Sequence, residues 1–184
     1  MDRSSTGGFR QISEDTVFEG AIIRVAVGEF VSPSGNVVVR ELVRHPGAVS
    51  VVAIVDDHVV MVRQYRAAIG GDLLEIPAGK RDVADEPPEL TAARELVEEV
   101  GLQPRSLELL TAFYNSAGFS DEYCYVYLAT EFDEATIQAH GEEEQHMTIE
   151  HVPLDDVPAM IADGRLCDAK SVIGLTLALR RLGR

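Results

Sequence analysis

Residues 79–102, GKRDVADEPPELTAARELVEEVGL, gather Arg94, Glu95, Glu98 and Glu99 on one short predicted helix. Pro87 and Pro88 open that helix, because proline presets a helical φ and its missing N–H falls where no intrahelical acceptor exists anyway. Gly101 closes it, where a left-handed cap is wanted. Between them Leu90, Ala93, Val97 and Val100 recur at spacings of three and four and predict the apolar stripe that the helix buries. Glu95 and Glu99 are four apart and Glu98 is three from Glu95, so three carboxylates occupy adjoining parts of one face. Arg94 can pair with Glu98 one turn on, but one guanidinium leaves the cluster short of positive charge. Hard oxygen ligands gathered without Cys or His suit Mg²⁺ or Mn²⁺.

A Glu-rich helix standing alone is ordinary solvated surface. This one is preceded by LLEIPAGKRD (residues 73–82), a predicted strand running into a tight loop at Pro77, Ala78 and Gly79 that faces the helix. A backbone carbonyl there can join a metal shell. The chemistry implied is metal-assisted attack on a phosphate ester or anhydride.

Composition sets the limits around this reading. A chain of 184 residues makes one domain with a sizeable core and a small N-terminal appendage. A net charge of -15 opposes binding to nucleic acid or anionic lipid, so a small anionic substrate needs metal ions and a few local arginines. The start, MDRSSTGGFR, is polar, and no apolar run is long enough to cross a membrane, which predicts a cytoplasmic protein. Cys124 and Cys167 stand apart with no CxxC pair, so neither a zinc site nor a disulfide framework is indicated, and Cys124 reads as core in an alternating strand.

Outward from the helix, residues 16–45 read as two or three strands with SPSGN (32–36) as a hairpin turn. AVSVVAIV (48–55) and HVVMVRQYR (58–66) are strands around an Asp-Asp turn, and SLELLTAFYNS (106–116) and EYCYVYLATEF (122–132) continue the sheet across AGFSD. Residues 152–164 and 168–182 read as helices, the second capped by Asp168. The pattern predicts an α+β protein.

Residues 79–102 resemble the Nudix box, the signature of Nudix pyrophosphohydrolases: Glu86, Arg94, Glu95, Leu96, Glu98, Glu99, Gly101 and Leu102 stand at its spacings. Gly79 lies one residue too far upstream of Glu86, a lengthening the loop before the helix can absorb. The resemblance implies an α/β/α sandwich with a mixed sheet, plus a small N-terminal antiparallel β-unit. The division expected is residues 1–45 for that unit and 46–184 for the catalytic domain. The N-terminal strands and GFSDE (118–122) are similar to the ADP-ribose pyrophosphatase branch, whose members form domain-swapped homodimers. A homodimer, a nucleoside diphosphate substrate and hydrolysis of ADP-ribose to AMP and ribose 5-phosphate are what this implies.

For site residues the resemblance implies metal binding by the Ala78 carbonyl, Glu95, Glu99 and Glu144. Glu144, in the charge run at 142–144, also serves as base, with Glu143 the close alternative. Glu98 acts behind these ligands or on a further metal, and Arg94 orients the carboxylates. Arg66 can hold a phosphate through its planar fork, and Glu75, on the strand next to the box, is a further substrate-binding candidate; the plainer readings are a solvated strand-end arginine paired with a nearby Glu and, for Glu75, a structural partner of Arg66. Ser120 and Glu122 can accept hydrogen bonds from ribose hydroxyls, although GFSD is also a good turn. Arg40 resembles residues that meet the base across the dimer, or is a surface arginine on a strand. Other Nudix substrates remain alternatives, namely nucleoside triphosphates, dinucleoside polyphosphates, NADH and sugar nucleotides. So does a catalytically silent ligand sensor, against which the intact charged set speaks.

Overall fold

The computed structural model describes residues 8–137 and 145–184. They divide into two compact units, Met1–Gly47 with Tyr114–Tyr123, and Ala48–Phe113 with Cys124–Arg184.

In the first unit β1 (Arg10–Glu19), β2 (Arg24–Val31) and β3 (Val37–Arg44) form an antiparallel meander in that order. The predicted SPSGN turn joins β2 to β3 through a left-handed Gly35, φ 86°, whose N–H donates to the Ser32 carbonyl. The end of β3 carries the GFSD turn. Val43 N–H donates to the Phe119 carbonyl at 2.7 Å, and Asp121 N–H donates back to the Val43 carbonyl at 3.1 Å. Asp121 in turn accepts from Arg44 at 3.1 Å and from His45 N–H at 2.9 Å, and Arg44 also pairs with Glu14.

The second unit is built on a mixed sheet. β4 (Ala48–Val55) and β5 (His58–Arg66) form a hairpin whose turn holds Asp56 and Asp57 at φ 47° and 62°, a left-handed conformation that Asp tolerates better than most residues. The two strands pair only near that turn, from Val55 opposite His58 to Ala53 opposite Val60. Farther along, β6 (Gly71–Glu75) pairs with β5, and β7 (Ala78–Lys80) pairs with β4. What reads in sequence as one strand and a loop is therefore two short strands, with Ile76 and Pro77 carrying the chain from one partner to the other. β8 (Leu102–Pro104) pairs with β11 (Phe132–Glu134) in a separate ribbon. In the main sheet β9 (Glu108–Tyr114) neighbours β10 (Tyr123–Ala129), which runs parallel to β4, and β12 (Thr148–Pro153) runs antiparallel to β5.

β4, apolar apart from the buried Ser50, is buried on both faces, and its alternation sorts two cores. Val49, Val51 and Ala53 pack with Ala92, Leu96 and Val100 of α1 (Pro88–Val100). Val52 and Ile54 pack with Val157 and Met160 of α2 (Val157–Ala162) and with Leu175 and Ala178 of α3 (Ala169–Arg181). This is the α/β/α sandwich. α3 lies close on the sheet at Gly174, where a Cβ would come within 2.9 Å of Val126 and 3.1 Å of Val52. Cys124 is buried in the α3-side core, and Cys167 is exposed. Among the described residues no helix is long and apolar enough to cross a membrane.

α1 begins and ends where its sequence predicts, with Gly101 at φ 70° donating its N–H to the Val97 carbonyl. Its buried face is different. Thr91, Ala92, Leu96, Glu99 and Val100 are buried, whereas Leu90 is exposed. Of the predicted stripe Val100 is buried, Ala93 and Val97 are half-buried and Leu90 is exposed, so the buried face is centred on Ala92, Leu96 and Val100. Ala92, Leu96 and Val100 recur at spacings of four and pack on β4, and this face carries Glu99 inward, where Ala78 N–H satisfies it.

Candidate active site

The register of β7 prepares the site. Ala78 stands opposite Ser50, beside a pair in which Val51 N–H donates to the Pro77 carbonyl at 2.9 Å. Alternation in an antiparallel ladder then directs both polar groups of Ala78 away from β4. Its N–H donates to Glu99 Oε2 at 3.0 Å. Glu99 is thereby fixed, although only 5% of it is exposed, and the Ala78 carbonyl belongs to the same outward-facing peptide edge.

Glu95, one turn back along α1, lies across Gly79. A Cβ built there would fall 1.9 Å from the Glu95 carboxyl carbon, so only glycine lets the carboxylate rest on the strand. Burial pushes the Glu95 carboxyl up to about 7; Arg94 opposes the shift and the like charge of Glu98 adds to it. Arg94 stands in the middle of this acidic group, with its guanidinium 3.0 Å from Glu95, 3.0 Å from Glu98, 3.4 Å from Glu86 and 3.7 Å from Asp82. Four carboxylates around one arginine leave a deficit of positive charge. Among the described residues Arg94 Nε, itself buried, has no hydrogen-bond partner.

The extra residue before the helix is taken up in a turn in which Glu86 N–H donates to the Val83 carbonyl and Asp85 is left-handed at φ 61°. Arg81 steadies this loop. Its guanidinium lies 5.5 Å from the centre of the Tyr125 ring and donates to the Glu86 carbonyl at 3.3 Å. Its role had no signal in the sequence beyond its charge.

A second charged group lies at the end of β6. Arg66 donates from Nε and Nη2 to the two oxygens of Glu75 at 2.6 and 2.8 Å, the pairing that was its plainer reading. Lys170 also pairs with Glu75 and stands 3.0 Å from Asp168. Glu75 is 1% exposed. Burial works against its charge, but the Arg66 hydrogen bonds and the Lys170 charge hold its carboxyl below the usual range.

Arg40, Ser120 and Glu122 belong to the first unit. Arg40 is exposed on β3 and donates to the Val39 carbonyl at 2.7 Å. Ser120 Oγ accepts from Glu122 N–H at 3.2 Å, so it shapes the turn that carries both residues. Glu143 and Glu144 lie outside the described residues. Among the described residues no three or more His, Cys, Asp or Glu side chains converge as a group that could hold a metal ion.

The NUDIX domain family matches residues 44–172. Over 168 residues the chain is 41% identical to the ADP-ribose pyrophosphatase of Mycobacterium tuberculosis, a match covering 91% of this chain and 81% of that one. It is 36% identical over 167 residues to the ADP-ribose pyrophosphatase of Bacillus subtilis, covering 90% of each. Among solved structures, that of an ADP compounds hydrolase shares the fold with a TM-score of 0.83 over 96% of both chains at 23% identity.

Proposed function

The chain belongs to the Nudix family, and from that premise we propose that it is a divalent-metal-dependent pyrophosphatase hydrolysing ADP-ribose to AMP and ribose 5-phosphate. The observation that carries the reading is the acidic cluster of α1 laid across Gly79 and Ala78, in a chain similar along nine-tenths of its length to enzymes named for that reaction.

The donor set fits Mg²⁺ or Mn²⁺. Glu95 and Glu99 are hard oxygen ligands held in place, the carbonyl of Ala78 shares their edge, and the carboxylates around Arg94 outnumber it. When bound, the ion neutralises the diphosphate and lowers the pKa of a water. The residues then divide the work. Arg94 spaces Glu95 from Glu98 and sets their orientation, and Glu98 acts behind the ligands. Arg66 contacts the diphosphate, and Glu75 acts through it. Glu144, or Glu143 next to it, completes the ligand set and takes a proton from the attacking water as the bridging P–O bond breaks. In the first unit, Arg40 serves the base, and Ser120 and Glu122 serve the ribose. We assign residues 1–45 to a homodimer contact and the protein to the cytoplasm.

Phosphate release from a panel of nucleoside diphosphate derivatives with Mg²⁺ tests the reading; ADP-ribose is the expected best substrate. Equal or better turnover of a nucleoside triphosphate would move the chain to another Nudix branch. Tight ADP-ribose binding with no turnover would make it a sensor. Glu99→Gln keeps the shape of the side chain but removes a ligand charge, so turnover falls to near background while the fold stays intact. Glu144→Gln lowers the rate with little effect on substrate affinity. Should Glu143→Gln be the crippled variant instead, the base is Glu143.

A further inference from the structure

Residues 75–78 are gripped from two sides. On one side Glu99 of α1 accepts from Ala78 N–H. On the other, the first turn of α3 reaches the same segment twice: Ser171 Oγ accepts from Ile76 N–H at 2.9 Å, and Lys170 Nζ donates to Glu75 Oε2. Asp168 caps the helix, accepting from Ser171 N–H at 3.0 Å and from Ser171 Oγ at 2.6 Å, and it faces Lys170. Ser171 is fully buried.

Glu75 needs this help, because a buried carboxylate is tolerated only where cations and donors satisfy it. With Arg66 as its sole counter-charge, the guanidinium would be spent on Glu75. Lys170 shares Oε2 with Arg66 Nη2 and supplies a second positive charge. The Arg66 fork keeps Nε and Nη2 on Glu75, which turns its Nη1 edge away from that carboxylate, and 40% of the side chain is exposed.

We propose that Lys170 is a positioning residue: it neutralises Glu75 so that Arg66 is held in a fixed orientation yet keeps its charge for a diphosphate. The proposal rests on Arg66 being the diphosphate contact. It makes Lys170 matter only while Glu75 is charged, which a general structural role would not do.

The test is a double-mutant cycle read by calorimetric affinity for inorganic pyrophosphate with Mg²⁺, alongside kcat and KM for ADP-ribose. Lys170→Met should weaken pyrophosphate binding and raise KM by about tenfold, the scale of one charge-assisted hydrogen bond, with kcat changed less than about twofold. Lys170→Arg should stay within about threefold of wild type, since it keeps the charge. Combining Lys170→Met with Glu75→Gln should bring pyrophosphate affinity back to within about threefold of Glu75→Gln alone. An unchanged KM in Lys170→Met, a loss confined to kcat, or an equal loss of affinity in both backgrounds overturns the proposal. If Lys170→Met does not fold, comparison of the double variant with Glu75→Gln decides alone. Failure of the wild-type protein to hydrolyse ADP-ribose would count against the assigned reaction, and the pyrophosphate affinities would still decide the role of Lys170.

Discussion

Two charged clusters flank residues 75–78, and they are built on opposite principles. Around Glu75 the signs balance: Arg66 and Lys170 face Glu75 and Asp168. Around Arg94 they do not, since one guanidinium serves Asp82, Glu86, Glu95 and Glu98. The two central carboxyls respond in opposite directions. Glu75, more deeply buried, is held below the usual range by its cations. Glu95 is pushed up to about 7 by burial that its surroundings do not offset. Local charge balance thus distinguishes the two clusters: one carries its own counter-charges, and the other carries more carboxylates than cations.

The largest effect should come from the balanced side. Glu75→Ala leaves Arg66 and Lys170 facing each other with no shared carboxylate, and removing one partner of a buried ion pair costs about 3 kcal/mol or more. Thermal or urea denaturation measures it; a loss below about 1 kcal/mol would mean that Glu75 is not structurally committed. Gly79→Ala comes next and strikes the unbalanced side. Its Cβ would overlap the Glu95 carboxyl, so Glu95 must leave its place on β7. The fold should survive while kcat/KM for ADP-ribose with Mg²⁺ falls by at least about a hundredfold, the upper range for a displaced metal-orienting group. Near wild-type turnover would remove Glu95 from the reaction.

The two clusters were unequally legible in the sequence. The unbalanced one is local: Arg94, Glu95 and Glu98 lie on one helix that the two prolines open and Gly101 closes, Glu86 follows from the box spacing, and Asp82 alone carried no signal. Even there the buried face differs from the expected one, because the helix offers two overlapping apolar rows, through Leu90, Ala93 and Val97 and through Ala92, Leu96 and Val100, and the packing on β4 selects the second. The balanced cluster is non-local. Lys170 meets Glu75 across 95 residues of chain, a pairing that no window of sequence contains. The split of residues 71–80 into β6 and β7 was hidden for a related reason, since it depends on how far β4 and β5 diverge rather than on local propensity.

Glu95→Gln separates stability from function within the unbalanced cluster. In metal-free protein Arg94 only partly offsets the burial of the ionised carboxyl, so its neutral counterpart should raise the melting temperature by roughly 2–4 °C at neutral pH, the shift that about 1 kcal/mol produces in a chain of this size. The same substitution should remove Mg²⁺-dependent turnover. A lower melting temperature in metal-free Glu95→Gln would show that Arg94 already satisfies this carboxylate.

The comparison that sets the clusters side by side most directly is the pH dependence of stability without metal. Glu95 has a folded-state pKa raised from 4.5 to about 7. The folded protein therefore holds that proton more tightly than the unfolded chain, and the stability this contributes is full below about 4.5 and lost as pH rises through 7. Glu75 is lowered instead, so its contribution is present above the ordinary carboxyl range and lost as pH falls below it. Denaturation free energies across this range should show both limbs. Glu95→Gln should flatten the one between about 4.5 and 7, and Glu75→Gln the one on the acid side. If Glu75→Gln flattens the neutral limb instead, the cations around Glu75 do not offset its burial, and the distinction between a balanced and an unbalanced cluster fails at that carboxyl.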